Sequence, residues 1–242
     1  GTPKNCNLPS VIGNLLNAAV IYNGYLYVAG GCTNNPCTSL SSSVVYAVID
    51  GNGTLTRPAV CTGGSYQGNM WCQSPNSLGG GLGATSPVVF NNRIYFVGGI
   101  GGASNNDLIY RTTPNADGSI GTWTSQSLSG TGATSVSYSY AYTRANPASA
   151  GTNPGNLFIF GGCSTAATGA ACTAYTDAVY KCNIGTAGAV ASCSTSGQLQ
   201  IGTIPGGSSA GLGVMSGAVF ANYVYLIGGS TPDFDQLDSV RY

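Results

Sequence analysis

The sequence predicts an all-β fold built from one antiparallel unit repeated four times, and three observations predict it. A strand–turn–strand motif ending in Gly-Gly recurs as AAVIYNGYLYVAGG (Ala18 to Gly31), SPVVFNNRIYFVGG (Ser86 to Gly99) and SGAVFANYVYLIGG (Ser216 to Gly229). A further copy is split by a longer turn, SYSYAYT (Ser137 to Thr143) followed by NLFIFGG (Asn156 to Gly162). The Gly-Gly pairs begin at 30, 98, 161 and 228, so the steps are 68, 63 and 67 residues, the regular self-similarity of a repeat architecture. Within each step apolar and polar residues alternate with a period of two, and no stretch carries the helical period.

Taken in order, each unit holds four predicted strands. The hairpin supplies the first two. A third follows a variable loop: SSVVYAVI (Ser42 to Ile49), NDLIYRTT (Asn106 to Thr113), TDAVYKCN (Thr176 to Asn183) and LDSVRY (Leu237 to Tyr242). The turns after it, DGNG (Asp50 to Gly53), NADGSIG (Asn115 to Gly121) and NIGTAG (Asn183 to Gly188), are rich in residues that accept positive φ cheaply. Fourth strands then start at Gly53 (GTLTRP), Gly121 (GTWTSQ) and Gly188 (GAVASC). Four-stranded antiparallel sheets repeated along a chain are the blades of a β-propeller, in which neighbouring blades cover each other's faces. The last unit stops at Tyr242 before its outer strand, and Gly1-Thr2-Pro3-Lys4-Asn5-Cys6 aligns with Gly121 to Gln126. The N-terminal strand is therefore expected to complete the last blade. The expectation is a single four-bladed β-propeller domain over 1–242, with blades near 15–80, 81–132, 133–210 and 211–242 plus 1–10.

The pieces IYFVGG, DLIY and NADGSIGTW resemble kelch-type repeats, with Gly-Gly ending the second strand, Tyr in the third and Trp in the fourth. The NADGSIGTW turn looks like those of kelch-like arrays in secreted bacterial and archaeal proteins. The resemblance covers nearly all of 15–242 and implies a kelch-like propeller. Departures are Leu55, Val190 and Pro3 where Trp would stand, and insertions at 57–80 and 143–155. Such propellers serve as scaffolds, binding modules and, rarely, oxidases, so the resemblance implies a fold rather than an activity.

Composition narrows the chemistry. Charged residues make up 6% of the chain, against about 25% on average, and net charge is zero. No basic stripe exists for nucleic acid, and no apolar run approaches a membrane span, so neither nucleic acid nor membrane insertion is expected. No signal peptide is present, which reads as a mature part from which a targeting segment was removed, or as part of a longer product. The chain has no His, and all seven acids are Asp (50, 107, 117, 177, 233, 235 and 238). That composition removes Ser-His-Asp and Cys-His nucleophile systems, His-ligated metals and paired-Glu glycoside hydrolysis. No catalysis, cofactor or metal is expected. The turns DGNGT and NADGS resemble fragments of calcium loops but lack the distal bidentate acid, so turn chemistry is the better reading.

Nine cysteines point to an oxidising compartment. Cys32 with Cys37, and Cys163 with Cys172, each follow a Gly-Gly and are read as staples of the same loop in two copies. Cys182 and Cys193 are expected as cross-strand neighbours, and Cys61 with Cys72 closes the 57–80 insertion. Cys6 is left over: free, bonded to another chain, or a sign that the natural product continues.

Tyr27, Tyr95, Phe158 and Tyr225, each three residues before a Gly-Gly, read as packing between blades rather than as a stacking platform. The binding-surface candidates are Tyr66, Asn69 and Trp71 in the insertion, where amphipathic aromatics suit a sugar or protein contact; a cover over the propeller edge is the alternative. Asn52 heads the one N-x-S/T sequon and is a candidate glycosylation site. The resulting expectation is a secreted or cell-surface structural or adhesive module, a sheath, filament or surface-layer subunit. Its expected partners are its own copies or other surface proteins. The alternative is a lectin-like propeller that binds glycans or proteins.

Overall fold

The structure is a computed structural model that describes residues 7–13, 15–35, 37–68, 70–101, 107–129, 131–133, 136–149, 151–163, 174–198, 213, 215–221, 223–230 and 240–241. It is all-β, and its single helical turn is the 3-10 stretch Pro147–Ser149 among these residues.

The first sheet contains β1 (Ala18–Tyr22), β2 (Tyr25–Ala29), β3 (Val44–Ile49), β4 (Leu55–Thr56), β5 (Ser65–Gln67) and β6 (Trp71–Gln73). A two-stranded ribbon joins β7 (Leu82–Gly83) to β10 (Ile100–Gly101). The second sheet is β8 (Ser86–Phe90), β9 (Arg93–Val97), β11 (Leu108–Thr112) and β12 (Thr124–Ser127). The third is β13 (Tyr140–Ala145), β14 (Gly155–Phe160), β15 (Ala178–Ile184) and β16 (Val190–Gln198). The fourth holds β17 (Ser216–Phe220), β18 (Tyr223–Ile227) and β19 (Val240–Arg241). Every described pairing is antiparallel, and sheets two and three run in simple meander order.

Register makes the units comparable residue by residue. Ala18 pairs with Ala29, Ser86 with Val97, Tyr140 with Phe160 and Ser216 with Ile227, each at the last position before Gly-Gly. In the second unit Asn91 (φ 47°) and Asn92 (φ 60°) both take the left-handed conformation that a two-residue hairpin turn demands.

The first sheet departs from the four-stranded expectation. The 57–80 insertion forms a β5–β6 hairpin, and β6 pairs with Val45 and Tyr46 of β3 while β4 pairs with Val48 and Ile49. The edge of β3 is thus shared between the fourth strand and the insertion, which gives six strands.

Successive sheets pack face to face in chain order. The trailing face of the first sheet (Tyr27, Ala29, Tyr46) meets the leading face of the second (Ile94, Phe96). Tyr95, Val97 and Ile109 on the second sheet's trailing face meet Leu157, Ile159 and Cys182 of the third. Tyr140 and Phe160 of the third meet Leu226 and Val224 of the fourth. Ahead of the first sheet, Val28, Val45 and Ala47 are covered by Ile12, Met70 and Trp71. Ile21 at that end is 63% exposed, as is Phe220 on the trailing face of the last sheet at 73%.

Gly-Gly has a second job besides ending a strand. Gly30 and Gly98 both take positive φ, and a Cβ on either would lie 2.0 Å from a carbonyl oxygen, that of Leu82 or Val136. Those carbonyls belong to the segments crossing to the next sheet. The crossovers also bond to one another: the Ala84 N–H donates to Leu16 O (2.8 Å) and the Tyr138 N–H to Ala84 O (3.1 Å). Leu16, Ala84 and Tyr138 are equivalent positions, and all three adopt positive φ (59°, 50° and 57°).

Disulfides join Cys32 to Cys37, Cys61 to Cys72, and Cys182 to Cys193, the last pair sitting directly opposite in register. Cys163 is also disulfide-bonded. Its expected partner Cys172 lies outside the described residues, as do residues 1–6, Cys6 among them, which were expected to complete the last blade. No closure of the sheets into a ring is seen among the described residues. Among the described residues no helix is long and apolar enough to cross a membrane.

Candidate functional site

The predicted insertion site does not assemble as a stacking surface. Trp71 is 3% exposed, packs with Ile12, Val45 and Met70, and donates its indole N–H to Asn7 O at 3.0 Å. A ring buried on the leading face of the first sheet has no face for a ligand, which corrects its reading as a binding residue and favours the cover. Tyr66 is half-buried; its hydroxyl donates to Pro58 O (3.0 Å), and the Arg57 guanidinium sits 3.4 Å over its ring. Asn69 lies outside the described residues.

The turn residues do turn chemistry. The Asp50 carboxylate accepts the backbone N–H groups of Asn52 (2.9 Å) and Thr54 (2.8 Å), leaving Asn52 exposed at the hairpin tip. Asp117 accepts from the Ser119 hydroxyl (2.6 Å), the Ser119 amide and the Thr62 hydroxyl (2.7 Å). Those donors, Ser119 first, hold its carboxyl below the usual range.

The repeated aromatics carry the sheet-to-sheet contacts. Tyr27 donates its hydroxyl to Gly118 O (2.9 Å) in the turn of the next unit, and Tyr95 does the same to Gly188 O (3.2 Å). Both are 1% exposed. Around Tyr27, Tyr25 and Tyr46 form a ring cluster with centroids 5.8 to 6.2 Å apart. Burial, then the nearby Asp117, pushes Tyr46 up to about 12, and burial raises Tyr27 further. Tyr46 leaves its buried hydroxyl without a hydrogen bond. At the third step the aromatic is Phe158, with no hydroxyl to reach across, and a cleft of about 310 Å³ lined by Phe158, Phe160, Tyr142, Val219 and Val224 lies beside it.

A polar concavity lies at the second step. Arg93 and Arg111 line a cleft of about 280 Å³ with Thr112, Thr113, Thr122 and Thr124, closed on one side by Ala187 of the third unit. Arg111 stands opposite Tyr95 in the β11–β9 register, and both cations counter the rise that burial imposes on the Tyr95 hydroxyl. Arg111 Nη1 donates to Gln126 Oε1 at 3.0 Å, and the Gln126 amide bonds both backbone groups of Val190 across the interface. Arg93 Nη1 donates to Asn91 O at 3.2 Å. Sequence reading missed this cluster because its members come from three strands of one unit and a turn of the next.

No protein-family model matches the chain, and no curated protein matches it. Among solved structures, one described as "Structure of YjhT" is similar over 88% of this chain and 58% of that one, with a TM-score of 0.55 and 12% identity. The likeness is one of fold alone, and this chain spans little more than half the length of that neighbour.

Proposed function

We propose that the four sheets are blades of a kelch-like propeller arc, and that the protein is a non-catalytic extracellular structural or adhesive module that assembles with its own copies. The observation that carries this reading is the trailing face of the last sheet. Phe220, Tyr223 and Ile227 there are 73%, 56% and 46% exposed, while Ala29 and Val97, equivalent to Ile227, are 1% and 0% exposed. The same face is covered by a following sheet at every earlier step. At the other end of the arc Ile21 is exposed, and a Cβ on Gly53, in the turn equivalent to those holding Gly118 and Gly188, would meet nothing within 4 Å. The two ends are the two halves of the interface that recurs inside the chain.

A second copy offers the matching half, since contiguous exposed apolar surface of this kind marks an interaction site. The contact is head-to-tail, so two copies that close would make a ring of eight sheets, within the range of known propellers, and copies that do not close would make a filament. The disulfides Cys32–Cys37, Cys61–Cys72 and Cys182–Cys193 fit a secreted protein, and the weakly charged surface lets copies approach without net repulsion. Sedimentation equilibrium across a concentration series tests the reading. Wild type should self-associate and Phe220→Ser should stay monomeric at the same concentrations. A wild-type protein that is monomeric throughout would overturn it.

A further inference from the structure

We propose that the cleft between the second and third sheets is an oxyanion-binding site, with Arg93 and Arg111 as its cationic ligands and an acidic saccharide as the class of molecule it takes. This is independent of the self-assembly reading. The same place differs in charge between two successive steps. At the first step the equivalent positions hold Tyr25 and Tyr46, and the facing turn supplies Asp117. At the second step the tyrosines become Arg93 and Arg111, and the facing turn supplies Ala187.

The two turns are built alike. In one, the Asn115 N–H donates to Ser119 O and the Gly118 N–H to Asn115 O; in the other, the Gly185 N–H donates to Ala189 O and the Gly188 N–H to Gly185 O. Asp117 and Ala187 are therefore the same turn position. The repeat has gained two guanidinium groups where it has lost its carboxylate.

Two of the seven cationic side chains in a sparsely charged sequence thus share one cleft. Among the described residues neither has an acidic partner; their donors go to the Asn91 carbonyl and the Gln126 amide oxygen. Adjacent guanidinium groups repel until an anion sits between them, and their planar forks match a carboxylate or sulfate with two parallel hydrogen bonds. Gln126, clamped to Val190, holds the Arg111 head in place before a ligand arrives, which lowers the ordering cost of binding. Thr113, Thr122 and Thr124 lie exposed around the mouth, so their hydroxyls are available to sugar hydroxyls, while Thr112 is buried at its base.

The test is calorimetric titration at low salt with three probes: inorganic sulfate, an oligogalacturonate, and a neutral glucan of the same length. Oligogalacturonate should bind saturably, weaken as salt rises, and lose at least about tenfold in affinity in Arg111→Gln. The decisive variant is Ala187→Asp, which restores the acid of the other turn and should abolish binding with melting temperature unchanged or raised, so misfolding does not confuse the result. Sulfate binding as tightly as the oligosaccharide would keep the oxyanion site but assign it to a free anion rather than a glycan. No saturable binding by either anion at millimolar concentration, equal binding of the neutral glucan, or binding that survives Ala187→Asp would overturn the proposal.

Discussion

Replacing Tyr27 with Phe removes one oxygen atom and nothing else, at the point where the first sheet grips the second. The Tyr27 hydroxyl reaches Gly118 O at 2.9 Å from a ring that is 1% exposed, inside the cluster formed with Tyr25 and Tyr46. Without it the Gly118 carbonyl faces the rings with no donor, since the space beside that glycine is filled by Tyr25, whose nearest ring carbon lies 2.3 Å from where a Cβ would stand. A buried acceptor left unsatisfied costs about 1–3 kcal/mol, and we take about 2 kcal/mol. For a chain of this length each kcal/mol lowers the melting temperature by roughly 2–4 °C, so Tyr27→Phe should melt about 4–8 °C lower by differential scanning calorimetry. Tyr95→Phe, which loses the equivalent bond to Gly188 O, should cost a similar amount. Phe158→Tyr should gain less than about 0.5 kcal/mol, because its side chain lines an open cleft rather than a facing carbonyl. A melting temperature unchanged in both Tyr27→Phe and Tyr95→Phe would refute the claim that these hydroxyls tie successive sheets together.

Three further outcomes follow from the same geometry. Removing the cross-strand disulfide as Cys182→Ala with Cys193→Ala, which closes a loop with a sequence separation of 11, should cost about 3 kcal/mol in chemical denaturation. Tyr46 titrates near 12 because burial favours its neutral form, and the unfolded side chain titrates near 10; the stability this difference provides is complete below pH 10 and is lost as pH climbs through 12. An ultraviolet titration should therefore show a late phenol ionisation coupled to loss of the folded near-ultraviolet dichroism; Tyr27 and Tyr138 are also raised by burial and share that phase, so Tyr46→Phe should reduce its amplitude by one phenol. Gly98→Ala should destabilise by about 2 kcal/mol or more, since the added Cβ meets the Val136 carbonyl at 2.0 Å on a backbone at φ +63°, whereas Gly121→Ala has open space and should be near neutral.

Much of this architecture could be read from the chain because the repeat places like residues at like positions. The hairpins, the Gly-Gly ends, the third strands and the pairings Cys32–Cys37, Cys61–Cys72 and Cys182–Cys193 all follow from local spacing. The β5–β6 hairpin was invisible: its strands are three residues each, too short for an alternating pattern, and they exist because the edge of β3 is open to them. The positive φ of Leu16, Ala84 and Tyr138 was equally hidden, because hydrogen bonds between crossovers impose it against the preference of those side chains. Trp71 misled for a simpler reason. A loop aromatic and a core aromatic are the same residue until the sheet it covers is known. The arginine cleft depends on aligning Ala187 with Asp117, a comparison between turns whose sequences share little beyond glycine.

The most direct test of the central claim, that the exposed ends of the arc are two halves of one interface, is cross-linking of the double variant Ile21→Cys/Phe220→Cys under mild oxidation, followed by non-reducing mass analysis. Head-to-tail assembly predicts covalent dimers and higher species whose new link joins position 21 of one copy to position 220 of another. A link between 21 and 220 within a single chain, or no such link at concentrations where the wild type is associated, would contradict it.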